Sequence, residues 1–226
     1  MKTTFDQKVA SSYDKWYETD SGRYISSLEE ELIKELIGEV RDQRVVDLGC
    51  GTGNHLELLH TLGADSFGID SSPFMLKRAE EKGKFKLILG KAEELPVKDS
   101  AFEAATLITT LEFCQDPAKV LQEAGRVAKD KIFLGVLNSW SALALKRRIK
   151  GWFGPSIYNR AVFFSIPKLK NMLEISFPHG SLEWKGVHSL PYSKLRFVRW
   201  LDRKLSFRRN PFCAFLGIVI VVERSS

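Results

Sequence analysis

The chain is short of cysteine, histidine and long apolar runs, and each shortage excludes a class of protein. Its three cysteines, Cys50, Cys114 and Cys213, are too few and too scattered for a disulfide framework. With only four histidines beside them, no cluster has metal-ligand spacing, so no metal site is expected. The opening residues Met1-Lys2-Thr3-Thr4-Phe5-Asp6 lack the apolar run of a secretory signal. The most apolar stretch, Phe212 to Val222, has 11 residues, where a spanning helix needs roughly 20. A soluble protein of the reducing cytoplasm is therefore expected.

Hydrophobic residues make up 44% of the 226, which is enough for a real core and excludes disorder as the main state. The charge is divided unevenly. From Met1 to Trp140 there are 18 Lys and Arg against 24 Asp and Glu, a balance of −6. From Ser141 to Ser226 there are 16 against 4, a balance of +12. The basic back half is either a solvated surface or a face turned toward something anionic.

Hydrophobic periodicity gives the elements. The first 40 residues read as helical, with Leu28, Leu32, Ile33, Leu36, Ile37 and Val40 on one stripe. The aromatic segment Tyr13-Asp14-Lys15-Trp16-Tyr17 precedes that stripe. Strands are expected at Val45–Leu48, Asp65–Ile69, Phe85–Leu89, Ala104–Thr109 and Ile132–Leu137. Helices alternate with them at Asn54–Leu62, Phe74–Lys82 and from Pro117 to Ala128, which implies a mostly parallel sheet. Beyond Asn138, helices are expected from Ser139 to about Lys150, from Ser165 to near Ile175, and from Tyr192 to Leu205. Strands at Ser181–Val187 and Phe212–Val222 close the pattern. No linker divides the chain. It reads as one domain over 1–226, with a helical lid (1–40), a cofactor-binding core (41–137) and a basic substrate-side region (138–226).

The most informative segment is Asp47-Leu48-Gly49-Cys50-Gly51-Thr52-Gly53, three alternating glycines between a strand and a helix. Glycine allows a tight turn there and lets backbone approach a ligand closely. A dinucleotide fingerprint needs a glycine where Asn54 stands, and the Gly-Lys-Ser/Thr of a phosphate loop is missing. A carboxylate at Asp47 repels a diphosphate and suits a cation. Asp70, 19 residues after Gly51 at the next strand's end, can accept from both hydroxyls of a ribose. A nucleoside with a positive, phosphate-free tail answers that description, and S-adenosylmethionine is one.

On these residues the sequence resembles the class I S-adenosylmethionine-dependent methyltransferases, in the type 11-like subgroup that acts mostly on small molecules. Asp47, Gly49, Gly51 and Gly53 match the family's acid and alternating glycines. Asp70, followed by Ser71-Ser72-Pro73-Phe74-Met75, matches its ribose acid. Gly90-Lys91-Ala92-Glu93-Glu94-Leu95-Pro96-Val97 is similar to its adenine-side segment, with Lys91 where the family often has aspartate. The resemblance implies a Rossmann-like α/β fold, a seven-stranded mostly parallel sheet with helices on both faces and an antiparallel last strand. It also implies a cofactor site made of Tyr13, Tyr17, Asp47, Gly49, Cys50, Gly51, Gly53, Asp70, Ser71, Met75, Ala92, Glu93 and Thr109.

The chemistry beyond the cofactor is left open. Met75 either packs on the adenine or fills core, and Thr109 and Thr110 either lie near the methyl group or simply end their strand. Tyr13, Trp16 and Tyr17 read as a lid rather than as an anchor. Glu112 reads as a solvated acid at a helix start, and His55 and His60 as surface or packing residues. His179 and His188 flank a strand and read as structural. No general base is named. A small-molecule acceptor, anionic or aromatic, is expected. Nucleic acid is disfavoured because no base-reading motif is present, while contact with an acidic lipid surface stays open. Competing readings are a nicotinamide oxidoreductase, opposed by Asn54 and Asp47, and a binding module without turnover.

Overall fold

A computed structural model describes residues 5–144 and 161–222. Two helices lead, α1 (Gln7–Tyr13) and α2 (Asp20–Ile37), joined through a 3-10 turn at Asp14–Trp16. Asp6 and Thr19 cap them, their side chains accepting from Val9 N–H and Gly22 N–H. Strand and helix then alternate: β1 (Arg44–Leu48), α3 (Asn54–Thr61), β2 (Asp65–Asp70), α4 (Pro73–Lys82) and β3 (Lys86–Leu89). The alternation continues with β4 (Phe102–Ile108), α5 (Pro117–Val127) and β5 (Ala128–Leu137). After the undescribed stretch come α6 (Ile166–Ser176), β6 (Ser181–Val187), α7 (Arg196–Leu205) and β7 (Phe215–Val221).

The seven strands form one sheet in the order β3-β2-β1-β4-β5-β7-β6. Strands β1 to β5 are parallel, and β7 runs antiparallel to both of its neighbours. This is the expected sheet. Its order reverses between β1 and β4, and such a switch point opens a crevice at the carboxyl ends of the strands.

Several boundaries differ from expectation. Strand β5 begins at Ala128 instead of Ile132, because its polar start pairs with Phe102 across an irregularity. Lys129 and Lys131 disguise that start: Lys129 bonds Glu103 at 2.8 Å, and Lys131 donates to the carbonyls of Ile37 and Glu39. Strand β4 starts at Phe102 and stops at Ile108, so Thr109 is not in it. Helix α7 starts at Arg196, and β7 is confined to Phe215–Val221. The helix expected from Ser139 to Lys150 and the basic run Lys146–Phe153 fall outside the described residues from Leu145 onward. Among the described residues no helix is long and apolar enough to cross a membrane, and no three metal-ligating side chains cluster.

Helices cover both faces of the sheet. Leu121, Ala124 and Val127 of α5 and Leu169 and Leu173 of α6 share one core with Ile132, Leu134 and Leu216. Leu28, Leu32, Ile33, Leu36 and Ile37 of α2 and Leu58 and Leu59 of α3 share the other with Val45, Phe133 and Phe215. Helix α2 comes unusually close to β7 because residue 217 is glycine. A Cβ there would stand 2.9 Å from both Leu32 and Leu36. Leu32 is fully buried. Leu32→Ala is therefore expected to cost about 3 kcal/mol in urea denaturation. A loss below about 1 kcal/mol would show that α2 is not part of the cooperative core.

Candidate cofactor and acceptor site

Strand β1 runs into the turn Gly49–Gly53 and then into α3. Gly49 and Gly51 sit at φ 76° and 54°, in the left-handed region that only glycine adopts freely. The N–H groups of Gly49 and Cys50 both donate to Ile69 O, at 2.7 and 3.1 Å, which ties the turn to the end of β2. A side chain at position 49 would collide with Thr110 at 2.5 Å, whereas one at 51 would meet nothing within 4 Å. The turn thus presents bare backbone to a cavity of about 550 Å³.

Two carboxylates stand at this turn. Asp70 ends β2 on the cavity wall, accepting from Gly51 N–H at 2.9 Å and from Ser72 N–H at 2.8 Å. Burial raises its pKa in spite of those bonds. Asp47 lies beneath the turn, 1% exposed, and accepts from the Thr106 hydroxyl at 2.7 Å. Burial pushes its carboxyl up to about 7. The Thr106 hydrogen bond opposes that rise and the charge of Asp70 adds to it.

Eleven of the thirteen residues expected to bind cofactor line this cavity. Gly49, Cys50 and Gly51 come from the turn, and Asp70, Ser71 and Met75 from β2 and the start of α4. Ala92 and Glu93 follow β3, Thr109 follows β4, and Tyr13 and Tyr17 descend from the N-terminal segment. Asp47 and Gly53 do not reach the wall. Gly53 caps α3 against Ala79, and Asp47 is screened by the turn above it. Met75 is 1% exposed, so it fills core while forming part of the cavity floor. Thr109 has a φ of 53°, a strained conformation for a β-branched residue, with its N–H held by Gly135 O at 2.7 Å.

Distant residues hold the walls in place. Asp14 accepts from Thr52 Oγ1 at 2.6 Å and from Lys82 Nζ at 2.7 Å, and Lys82 also donates to Asn54 Oδ1 at 2.5 Å. This latch joins the aromatic N-terminal segment to the glycine turn and to α4. Ser72 Oγ donates to Phe5 O at 2.6 Å, and the Phe5 ring meets Phe113 edge-on at 5.0 Å. Arg126 bonds the carbonyls of Leu95 and Val97 and the carboxylate of Asp99, fixing the segment that carries Ala92 and Glu93. None of these partners is near the other in sequence, so spacing gives no sign of the latch.

Of the other titratable groups, Glu112 turns out differently from expectation. Glu112 is fully buried rather than solvated. It accepts from Leu137 N–H, and its own carbonyl takes Val162 N–H, because the 3-10 turn at Leu111–Phe113 folds it under the end of β5. His55, read as a surface or packing residue, lines the cavity, and burial, with Lys82 nearby, lowers its imidazole to about 4. Burial pushes the Cys114 thiol to about 12, so this wall offers no thiolate there. His60 and His179 are exposed, and His188 is buried with Nε2 3.1 Å from Ile25 O, away from the cavity.

Comparison with known proteins agrees with this geometry. Residues 46–134 match the family model described as a methyltransferase domain. An uncharacterized protein of Methanocaldococcus jannaschii is 34% identical over 172 residues, 74% of this chain and 77% of that protein. A demethylmenaquinone methyltransferase of Thermotoga maritima is 38% identical over 109 residues, and this chain spans about half of it (48%). Among solved structures, a SAM-dependent methyltransferase of Thermotoga maritima matches with a TM-score of 0.78 at 23% identity. The match covers 97% of this chain and 98% of that one, and it shows the fold.

Asp47 carries a measurable cost. Its folded pKa lies above the unfolded value of 3.8, so the folded carboxyl keeps a proton that the unfolded chain has lost. Stability is full below the unfolded pKa and falls as pH rises toward about 7. The burden at pH 8 is on the order of 4 kcal/mol. Asp47→Asn, which keeps a partner for Thr106, is expected to melt roughly 10 °C higher than wild type at pH 8, the gap closing toward pH 4. Equal melting temperatures at pH 8 would contradict the buried-charge assignment.

Proposed function

Since this chain belongs to the class I S-adenosylmethionine-dependent methyltransferases, we propose that its cavity takes S-adenosylmethionine and delivers the methyl group to a small-molecule acceptor. The observation that carries the reading is a turn of bare backbone with one carboxylate beneath it and one at its rim. That combination favours a positive ligand over a diphosphate. When bound, the cofactor supplies a methyl group on an already activated sulfonium. The protein's part is to position two reactants and keep water out.

Each wall residue has a task in this reading. Gly49, Cys50 and Gly51 offer their backbone to the amino-acid tail, and buried Asp47 supplies negative potential under it. Asp70 keeps lone pairs toward the cavity for the ribose hydroxyls. Ala92, Glu93, Ser71 and Met75 form the adenine side, and Thr109 borders the reacting end. Tyr13 and Tyr17 form the lid, which the Asp14–Lys82 latch holds down. The aromatic side chains Phe5, Phe113 and Tyr17 suit an aromatic or quinoid acceptor, as the demethylmenaquinone methyltransferase relative also suggests, and Lys91 and Lys119 on the wall suit an anionic one. A reducing cytoplasm fits the three free cysteines.

Calorimetry with S-adenosylhomocysteine tests the site. Asp70→Asn is expected to weaken binding by roughly 10- to 100-fold, the worth of hydrogen bonds to a charged acceptor. NAD is expected not to bind, and binding of NAD in place of S-adenosylhomocysteine would overturn the reading. Tyr17→Ala is expected to weaken binding with little change in melting temperature. An unchanged dissociation constant would show that the tyrosine does not act as a lid.

A further inference from the structure

Helix α7 is built inside out. Its one acid, Asp202, is 2% exposed and faces the protein, accepting from Tyr24 Oη at 2.9 Å and from Leu190 N–H at 2.9 Å. His188 Nδ1 stands 3.6 Å from the same carboxylate. Arg203 adds two bonds to Glu31 of α2, at 2.9 and 2.7 Å. These polar contacts fix which side of the helix faces inward. The outward side carries Phe197 and Trp200, 68% and 56% exposed, and Leu195, just ahead of the helix, is 68% exposed. The Phe197 and Trp200 rings stack on each other, 5.8 Å apart, and Lys204 Nζ lies 5.9 Å over Trp200.

Positive charge predominates around these apolar tips; the two acids in the groove beside Trp200, Glu31 and Glu35, are paired with Arg203 and Lys185. Residues 194–209 hold six Lys and Arg besides Arg203, which is tied to Glu31, against Asp202 alone. Among the described residues no carboxylate pairs with Lys194, Arg196 or Lys204. The helix also starts at the right edge of the sheet. Strand β6 runs in the same direction as β4 and β5, so the chain leaves it at the edge where the cavity opens. Tyr192, just ahead of α7, stands 5.7 Å from Tyr24 near the start of α2, and Tyr17 before α2 lines the cavity.

We propose that the outward face of α7 docks on an anionic lipid surface, with Leu195, Phe197 and Trp200 entering the interface and the surrounding Lys and Arg meeting the headgroups. Apolar insertion and attraction to anionic lipid act together in such a contact, and tryptophan favours that boundary. A second copy of the chain is a poorer occupant. Three such side chains expose only a few hundred Å², against the roughly 1,200 Å² of a stable protein interface. Nucleic acid is poorer too, because bases stack on aromatic faces along a basic groove, whereas these two rings cover each other beside an aliphatic tip. The docking does not rest on the cofactor reading, since it needs no methyl donor.

The test is sedimentation of the full chain with phosphatidylcholine vesicles, plain or mixed with phosphatidylglycerol. Wild type is expected to bind only the anionic vesicles, less so as salt rises. Phe197→Ser with Trp200→Ser is expected to lose roughly ten-fold or more, at unchanged melting temperature because both side chains are exposed. Trp200→Phe retains most of the binding. Lys194, Arg196 and Lys204 changed together to Gln lose roughly 100-fold, and this variant decides the question if the serine pair melts low. No binding to anionic vesicles at low salt overturns the proposal. So does wild-type binding by both multiple variants, displacement of the chain from vesicles by a short oligoribonucleotide, or a loss of self-association as the serine pair's only effect.

Discussion

A carboxylate buried under a turn without side chains sets the terms for the rest of this molecule. Asp47 is shut off from water, and the nearest charged group acting on it, Asp70, has the same sign. No Lys or Arg among the described residues forms an ion pair with either. The protein holds this arrangement at a cost in stability, so the charge is completed from outside the chain or not at all. Above it, left-handed glycines bring backbone to the cavity and keep Cβ atoms away. A cation that tolerates close backbone is the ligand we propose for such a place.

The surrounding fold keeps that place rigid. Strands β1 and β4 pair side by side at the switch point, so Thr106 of β4 and Thr110 just beyond it brace Asp47 and the backbone of Leu48 from the side. The end of β2 supplies Ile69 O to the turn and Asp70 to its rim. Arg126 pins the segment after β3 from behind. The roof is different in kind. It is an N-terminal segment joined to the rest through the Asp14–Lys82 ion pair, hydrogen bonds from Thr52 and Ser72, and the Phe5–Phe113 ring contact, and local openings are cheapest in elements at a chain's end. In the proposed reading, a rigid floor beneath an openable roof lets the site admit one reactant and then exclude water.

Local geometry made part of this legible in advance. Alternating glycines between a β-branched run and an amphipathic helix leave few backbone conformations, so the turn and its neighbours Asp70 and Ser71 follow from spacing. Depth does not follow from spacing. Asp47 is close to the turn in sequence, yet the pleat sends its side chain under the turn, so it acts through potential and not through contact. Glu112 shows the same limit: as a charged residue after a strand it reads as solvated, and only the 3-10 turn reveals that it points inward. Helix α7 is the sharpest case. Its composition reads as a basic helix with aromatics, but burial of Asp202 by Tyr24, His188 and Leu190 decides which side faces out, and those partners come from elsewhere in the chain.

In the proposed reading, a positive ligand settles over a carboxyl group that burial raises to about 7 in the free protein. Such a ligand lowers that group's pKa and drives off its proton. Calorimetry of S-adenosylmethionine binding at about pH 6.5, in buffers of different ionisation enthalpy, reads that proton directly. A substantial fraction of a proton is expected to leave per ligand bound, and Asp47→Asn is expected to abolish the release. Binding heats that are the same in every buffer would refute the coupling of cation and buried carboxyl.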